Sequence, residues 1–209
     1  MIGAAASVTS RRVVAALGLL LVAAGAFFAG HGIWIKAKAV VAQVLIEAAW
    51  ARAEPARPWA WADTTPVARI RFARTGASLI VLAGDSGATL AFGPGHHAAS
   101  AMAGNGGNMV VSGHRDTHFA LLRDTQPGER IEVERRDGRR ITYIVDAMRV
   151  VDERDTRVVA PSSSERLTLV TCWPFDALVP GGPLRYVVTA SVEPLASPAR
   201  LMVNGSAPG

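Results

Sequence analysis

Eight short runs of strand-forming residues fill most of the chain after Pro66, and they constrain its fold more than any other feature. Each run is bounded by Gly, Pro, Asp or Ser, and Asp137-Gly138 stands between two alternating runs as a hairpin turn would require. The runs are VARIRF, ASLIVL, ATLAF, NMVVSG, RIEVERR, RRITYIVDAMRVV, RLTLVTC and LRYVVTASV. This pattern predicts an all-β domain with minor helix, a mostly antiparallel barrel or sandwich, over residues 66–193.

An apolar segment near the N-terminus predicts a membrane anchor. Residues 13–35 carry no formal charge, and a helix of this length crosses about 30 Å of hydrocarbon. Arg11 and Arg12 precede the segment, which favours a cytoplasmic location for residues 1–12. We expect a retained transmembrane helix that places the remaining chain outside the cytoplasm. The alternative is a signal peptide cleaved near residues 24–26.

Residues 36–65 combine a juxtamembrane helix with a linker that is rich in Pro and Trp. Apolar residues recur at helical spacing until Pro55 ends the helix. We expect Trp59 and Trp61 to pack on the β domain rather than lie at a membrane surface. At the other end of the chain, the composition of residues 194–209 predicts a flexible tail.

The charge distribution argues against a nucleic-acid partner. The formal net charge is +5, and a basic surface attracts phosphates. The basic residues are interleaved with acidic ones, however, as in the run EVERRDGRR, and they form no stripe. Mixed runs of this kind are typical of solvated hairpin faces.

Cys172 is the single cysteine of the chain, so no intramolecular disulfide can form. It ends the predicted strand RLTLVTC, immediately before Trp173-Pro174. A strand would hold the thiol rigidly while the following loop left it open to a substrate. An isolated cysteine is more often a small buried hydrophobe, so this residue alone does not decide the function.

His114 lies in a similar position, directly after the run NMVVSG, and Gly113 before it permits a close approach of another part of the chain. An imidazole exchanges protons near neutral pH, as a thiol nucleophile requires. His118 completes an H-x-x-x-H spacing, but the sequence has neither the general-base Glu of zinc peptidases nor an obvious third ligand. We therefore expect no metal, and we predict that His118 lines the pocket. His96 and His97 are expected in an exposed loop.

Arg185 opens the last predicted strand, after a turn rich in Pro and Gly. A guanidinium held there stays charged and can stabilise the oxyanion that develops during acyl transfer. An ordinary surface arginine is the alternative interpretation.

The segments SGHRDTHF, TLVTCWPF and PLRYVVTA, in this order, closely resemble the signature of the sortase family of cysteine transpeptidases. The resemblance implies an eight-stranded β-barrel with Cys172 as nucleophile, His114 as acid and base, and Arg185 as oxyanion stabiliser. Thr171 and Trp173 are expected to shape the substrate site together with His118. The anchor, the juxtamembrane helix and the segment WAWADTTP also resemble class GN, the class found in Gram-negative bacteria.

The resemblance further implies a reaction. The cysteine would attack the Thr–Gly bond of an LPXTG-like sorting signal near the C-terminus of a protein substrate, and an amine would resolve the thioacyl-enzyme. No cofactor is implied. The expected location is the inner membrane, with the catalytic domain on the periplasmic side of the lipid bilayer. Two alternatives stay open: a hydrolytic peptidase that uses the same residues, and a non-catalytic envelope scaffold.

Overall fold

The computed structural model describes residues 3–177, 179 and 181–193, so the tail predicted for 194–209 lies outside the described residues. The chain divides into two compact units between Leu45 and Ile46. Helix α1 (Gly3–Trp50) runs through the first unit and ends in the second. Within it, the stretch Ala16–Trp50 is long and apolar enough to cross a membrane.

Eight strands form a closed barrel in the second unit. Their bounds are β1 (Pro66–Phe72), β2 (Ser78–Ala83), β3 (Gly95–His96), β4 (Asn108–Ser112), β5 (Arg130–Arg135), β6 (Arg140–Asp152), β7 (Arg166–Trp173) and β8 (Leu184–Val192). Around the barrel the order is β1-β2-β3-β4-β7-β8-β6-β5. The pairs β2–β3 and β4–β7 are parallel and the others are antiparallel. The predicted eight-stranded β-barrel with minor helix is confirmed.

One of the eight predicted strands is wrong. The run ATLAF lies mainly in a short helix, α2 (Gly87–Leu90), because the Ser86 hydroxyl accepts a hydrogen bond from the Thr89 amide at 3.3 Å and caps its first turn. The third strand is instead β3, and the expected exposed loop at His96 is wrong as well. His96 is 7% exposed, and its Nε2 lies 3.1 Å from the carbonyl oxygen of Ala101. Two 3₁₀ helices cover Ala120–Asp124 and Thr156–Val159.

The main core fills the interior of the barrel, because alternate residues of each strand point inward. Ile70, Val111, Leu169 and Val188 are examples of its fully buried side chains, and each contributes about 1.5–3 kcal/mol when removed from water. The β5–β6 hairpin turns at Gly138, whose φ of +81° suits glycine. The predicted Asp137-Gly138 turn is thereby confirmed.

A second, smaller core packs the end of α1 against β2. It contains Ile46 and Leu82, and Trp59 packs against it. The Trp59 ring makes an edge contact with Phe92 at a centroid distance of 4.8 Å. Trp61, by contrast, is 81% exposed. The packing prediction is therefore confirmed for Trp59 and wrong for Trp61.

Candidate active site

Cys172 and Arg185 lie opposite each other on neighbouring strands. They are register partners in the antiparallel pair β7–β8, and partners of this kind carry their side chains on one face, with Cβ atoms about 4.5–5.5 Å apart. Leu169 of β7 and Val188 of β8 belong to the barrel core, so strand alternation places Cys172 and Arg185 on the outer face. Both residues are partly exposed. A substrate can therefore reach them from outside the barrel.

His114 follows β4, which pairs in parallel with β7, the strand that ends near Cys172. Ser112 is the register partner of Val170, and the Gly113 amide donates to the Val170 carbonyl at 3.0 Å. If this register continued for two residues, His114 would lie level with Cys172. The spacing of 58 residues between His114 and Cys172 is thus the register offset of β4 on β7. We call His114, Cys172 and Arg185 the catalytic row, after the roles that the sequence predicts for them.

The guanidinium of Arg185 is held by three acceptors. Nη1 donates to the carbonyl oxygens of Gly182 at 2.6 Å and Leu184 at 3.0 Å. Nη2 donates to Oε2 of Glu153 at 2.6 Å, in an ion pair whose side chains are 26% and 44% exposed. This arrangement fixes the guanidinium on the strand partner of Cys172 while leaving part of the side chain accessible.

Thr171 supports the site through a buried side-chain hydroxyl rather than through an exposed surface. It is 2% exposed, and its hydroxyl donates to the carbonyl oxygen of Gly113 at 2.7 Å. The bond ties the residue before the thiol to the residue before His114. Thr171 therefore helps to hold the catalytic row in register.

His114 and His118 lie on one tight turn, closed by a 3.0 Å hydrogen bond from the Phe119 amide to the His114 carbonyl. Gly113 is required here for space, since an added Cβ would lie 2.7 Å from the Phe119 ring. His118 is half-buried. Burial lowers the pKa of His118 below its ordinary value of 6.5, and the nearby His114 lowers it further, against the opposite effect of Asp116. A neutral His118 is the favoured form near pH 7.

Arg115 links the histidine turn to the loop between β7 and β8. It is 9% exposed, and its Nη2 donates to the carbonyl oxygens of Ala177 at 2.9 Å and Val179 at 3.1 Å. That loop leads directly to Arg185. One buried guanidinium therefore connects the segments that carry His114 and Arg185.

Trp173 is half-buried in an aromatic cluster that packs against the barrel core. Its ring stacks on Tyr186 at a centroid distance of 5.6 Å and makes an edge contact with Phe175 at 5.6 Å. In strand alternation it points to the face opposite that of Cys172. Trp173 thus anchors the end of β7.

No group of three or more His, Cys, Asp or Glu side chains that could hold a metal ion occurs among the described residues. The arrangement is suited to acyl transfer, because strand register brings Cys172 opposite Arg185 and carries the segment of His114 to the same end of β7.

Comparison with known proteins identifies the family. The family model of the sortase domain matches residues 70–193, more than half of the chain. This chain belongs to the sortase family. Sortases are cysteine transpeptidases, so the predicted family is confirmed, together with an enzyme that acts on peptide bonds. The predicted hydrolase and peptidase activity stays a prediction.

Individual relatives agree with this assignment. The sortase is 28% identical to sortase D of Bacillus subtilis (strain 168) over 188 residues, which cover 81% of this chain and 94% of the relative. The structure of a Clostridium perfringens sortase D5 transpeptidase matches with 26% identity and a TM-score of 0.54, covering 61% of this chain and 79% of the other. Sortase A from Corynebacterium diphtheriae matches with 31% identity and a TM-score of 0.57, covering 65% of this chain and 64% of the other.

Sequence reasoning missed two residues of this sortase that support the site, Glu153 and Arg115. Arg115 directly follows His114, so its position in the histidine segment was a usable signal. Glu153 lies 32 residues before Arg185 in a run of mixed charge. Nothing local distinguishes it from the other acidic residues of that run.

Proposed function

We propose that this sortase is a membrane-anchored transpeptidase that cleaves an LPXTG-like sorting signal between Thr and Gly and transfers the acyl group to an amine. The observation that supports the proposal is the strand register, which pairs Cys172 with Arg185 and brings the segment that carries His114 to the same end of β7. Class GN is our proposed subclass, supported by the apolar N-terminal helix and the segment WAWADTTP.

In the proposed acylation, the Cys172 thiolate attacks the carbonyl carbon of the substrate Thr. Arg185 stabilises the negative charge on the carbonyl oxygen, where a fixed donor is worth about 10²–10³-fold in rate. His114 donates a proton to the nitrogen of the departing Gly as the C–N bond breaks. The products are a thioester on Cys172 and a peptide with a free N-terminal Gly.

In the proposed deacylation, the amine of the acceptor attacks the thioester carbon. His114 accepts the proton that the amine loses, and the Cys172 thiolate leaves as the new amide bond forms. Water as the acceptor would give a free carboxylate and make the protein a processing peptidase. The acceptor alone separates these two outcomes.

The proposed anchor is the apolar part of α1. Its length and composition suit a membrane-crossing helix, and Arg11 and Arg12 before it favour a cytoplasmic N-terminus. The catalytic domain would then lie on the periplasmic side of the inner membrane. Protection of the N-terminus, but not of the barrel, from protease added to spheroplasts would support this orientation, and the reverse pattern would contradict it.

The decisive experiment uses the full chain in detergent with a panel of LPXTG-like peptides and measures intact mass. We expect a thioacyl adduct that lacks the peptide segment after Thr, and no adduct in Cys172→Ala. Addition of an amine should release a product carrying that amine. A thiol that resists alkylation in the folded protein, with no adduct from any peptide, would contradict the proposal and favour a non-catalytic scaffold.

A further inference from the structure

A cavity of about 510 Å³ lies on the outer face of the barrel, beneath the segment that joins β6 to β7. Three arginines and one carboxylate line it: Arg149, Arg157, Arg166 and Asp155. We call this cavity the arginine pocket. None of its charged residues belongs to the catalytic row.

The charges of the arginine pocket do not balance. Arg157 is occupied by Asp155, to which its Nε donates at 2.7 Å and its Nη2 at 2.8 Å. In the part of the chain that the structure describes, Arg149 and Arg166 have no carboxylate within 4.0 Å. The Nε of Arg166 is buried and makes no hydrogen bond to a described residue. Two guanidiniums are therefore available to an anionic ligand.

The pocket opens on the face that carries Cys172 and Arg185. Arg149 is the register partner of Val187, two residues along β8 from Arg185. Arg166 lies six residues before Cys172 in β7 and alternates to the same face. At about 3.3 Å per residue, the two arginines lie roughly 7 Å and 20 Å along the strands from the catalytic row.

We propose that the arginine pocket binds an acidic segment of the protein substrate. An extended peptide has about the same rise per residue as a strand. A substrate whose scissile bond lies at Cys172 would therefore bring side chains roughly two to six residues from that bond to the pocket. Arginine binds carboxylates through paired N–H donors and remains charged. The pocket then selects substrates with Asp or Glu flanking the cleaved motif.

This inference rests on the proposed function, because it takes the catalytic row as the place of cleavage. The pocket lies on the same face as that row, its volume of about 510 Å³ can hold side chains, and Val151 and Thr189 contribute to its lining. These features favour a peptide over a flat anionic lipid surface. Anionic vesicles are the competing ligand in the test.

The test uses calorimetry to measure how tightly peptides bind to the full chain in detergent. The chain carries Cys172→Ala to prevent turnover. Each peptide carries the same LPXTG-like core, with three Glu or three Gln placed two to six residues from the scissile bond on one side or the other. We expect the Glu peptide of one side to bind about tenfold more tightly than its Gln counterpart. The double variant Arg149→Gln, Arg166→Gln should bind the two equally.

Arg154→Gln is the matched control, since Arg154 is an exposed arginine of the same connecting segment that does not line the cavity. It should retain the preference for Glu. Equal binding of Glu and Gln peptides on both sides would overturn the inference. A preference for Glu peptides that persists in the double variant would also overturn it. So would a result in which binding of vesicles containing phosphatidylglycerol depends on the two arginines but peptide binding does not.

Failure of this inference and failure of the proposed function give different results. If the wild-type chain forms an adduct with a Gln peptide and shows no preference for Glu, the transpeptidase proposal is supported. The proposal that the arginine pocket binds acidic peptides is then contradicted. A preference for Glu that depends on Arg149 and Arg166, without an adduct from any peptide, would leave an acidic-peptide site in a protein that does not cleave.

Discussion

Glu153 accepts a 2.6 Å hydrogen bond from Nη2 of Arg185, so the cation of the catalytic row is oriented by a residue from the segment between β6 and β7. Nη1 of the same guanidinium donates to the carbonyl oxygens of Gly182 and Leu184. Orientation matters for the proposed role of Arg185, because an oxyanion is stabilised best by donors that already point at its position.

Replacing Glu153 by Ala should slow acyl transfer more than it destabilises the fold. We expect kcat to fall about tenfold, because a displaced donor loses alignment with the oxyanion. The free energy of unfolding should fall by less than about 1 kcal/mol, as for other partly exposed ion pairs. Peptide cleavage kinetics and urea unfolding measure the two effects.

Glu153→Gln and Glu193→Ala are the controls for this prediction. Gln keeps an oxygen acceptor and should hold kcat within about threefold of wild type. Glu193 forms a comparable ion pair with Arg130, away from the catalytic row, and its loss should leave kcat unchanged. A kcat for Glu153→Ala equal to that of Glu193→Ala would rule out a positioning role.

Gly113→Ala should destabilise the domain by about 1–3 kcal/mol, the usual cost of overpacking. The added Cβ would lie 2.7 Å from the Phe119 ring. Gly87→Ala is the matched change, since a Cβ there meets nothing within 4 Å, and it should alter stability by less than about 0.5 kcal/mol. Urea unfolding measures the stability of both variants. Equal stabilities would show that the contact with Phe119 does not restrict the size of residue 113.

Arg115→Met should cost about 1–3 kcal/mol, because it leaves the carbonyl oxygens of Ala177 and Val179 without their donor. Hydrogen exchange should also accelerate in residues 175–185, while the β5–β6 hairpin stays protected. Arg154→Met, at an exposed position, provides the comparison. Unchanged exchange in the β7–β8 loop would contradict the role of Arg115 as a link between the segments of His114 and Arg185.

His118 should make the folded domain less stable at acid pH. Burial lowers the pKa of His118 in the folded state below 6.5, so the unfolded chain binds the proton more tightly. The free energy of unfolding then falls as the pH drops from about 6.5 toward the folded pKa. His118→Gln should lose less stability than wild type between about pH 7.5 and pH 5 in urea unfolding. An identical pH dependence would contradict the lowered pKa.

Much of the barrel could be predicted from local sequence. Seven of the eight predicted strands were right because alternation and turn residues act over a few positions. The run ATLAF failed because a single cap, Ser86, favours a helical turn over a strand of similar composition. β3 was missed because a strand of two residues, Gly95 and His96, is too short to show the alternation that marks a strand.

The sequence by itself determined which candidate side chains this sortase carries: one thiol, a histidine directly after a strand and an arginine near the start of the last strand. The tertiary structure decided what supports them. Glu153 meets Arg185, and Arg115 meets Ala177 and Val179, only because closure of the barrel brings together segments that lie 32 to 64 residues apart. Local patterns report which face a residue occupies, whereas partners across a sheet depend on strand order and register, which no short window of sequence contains.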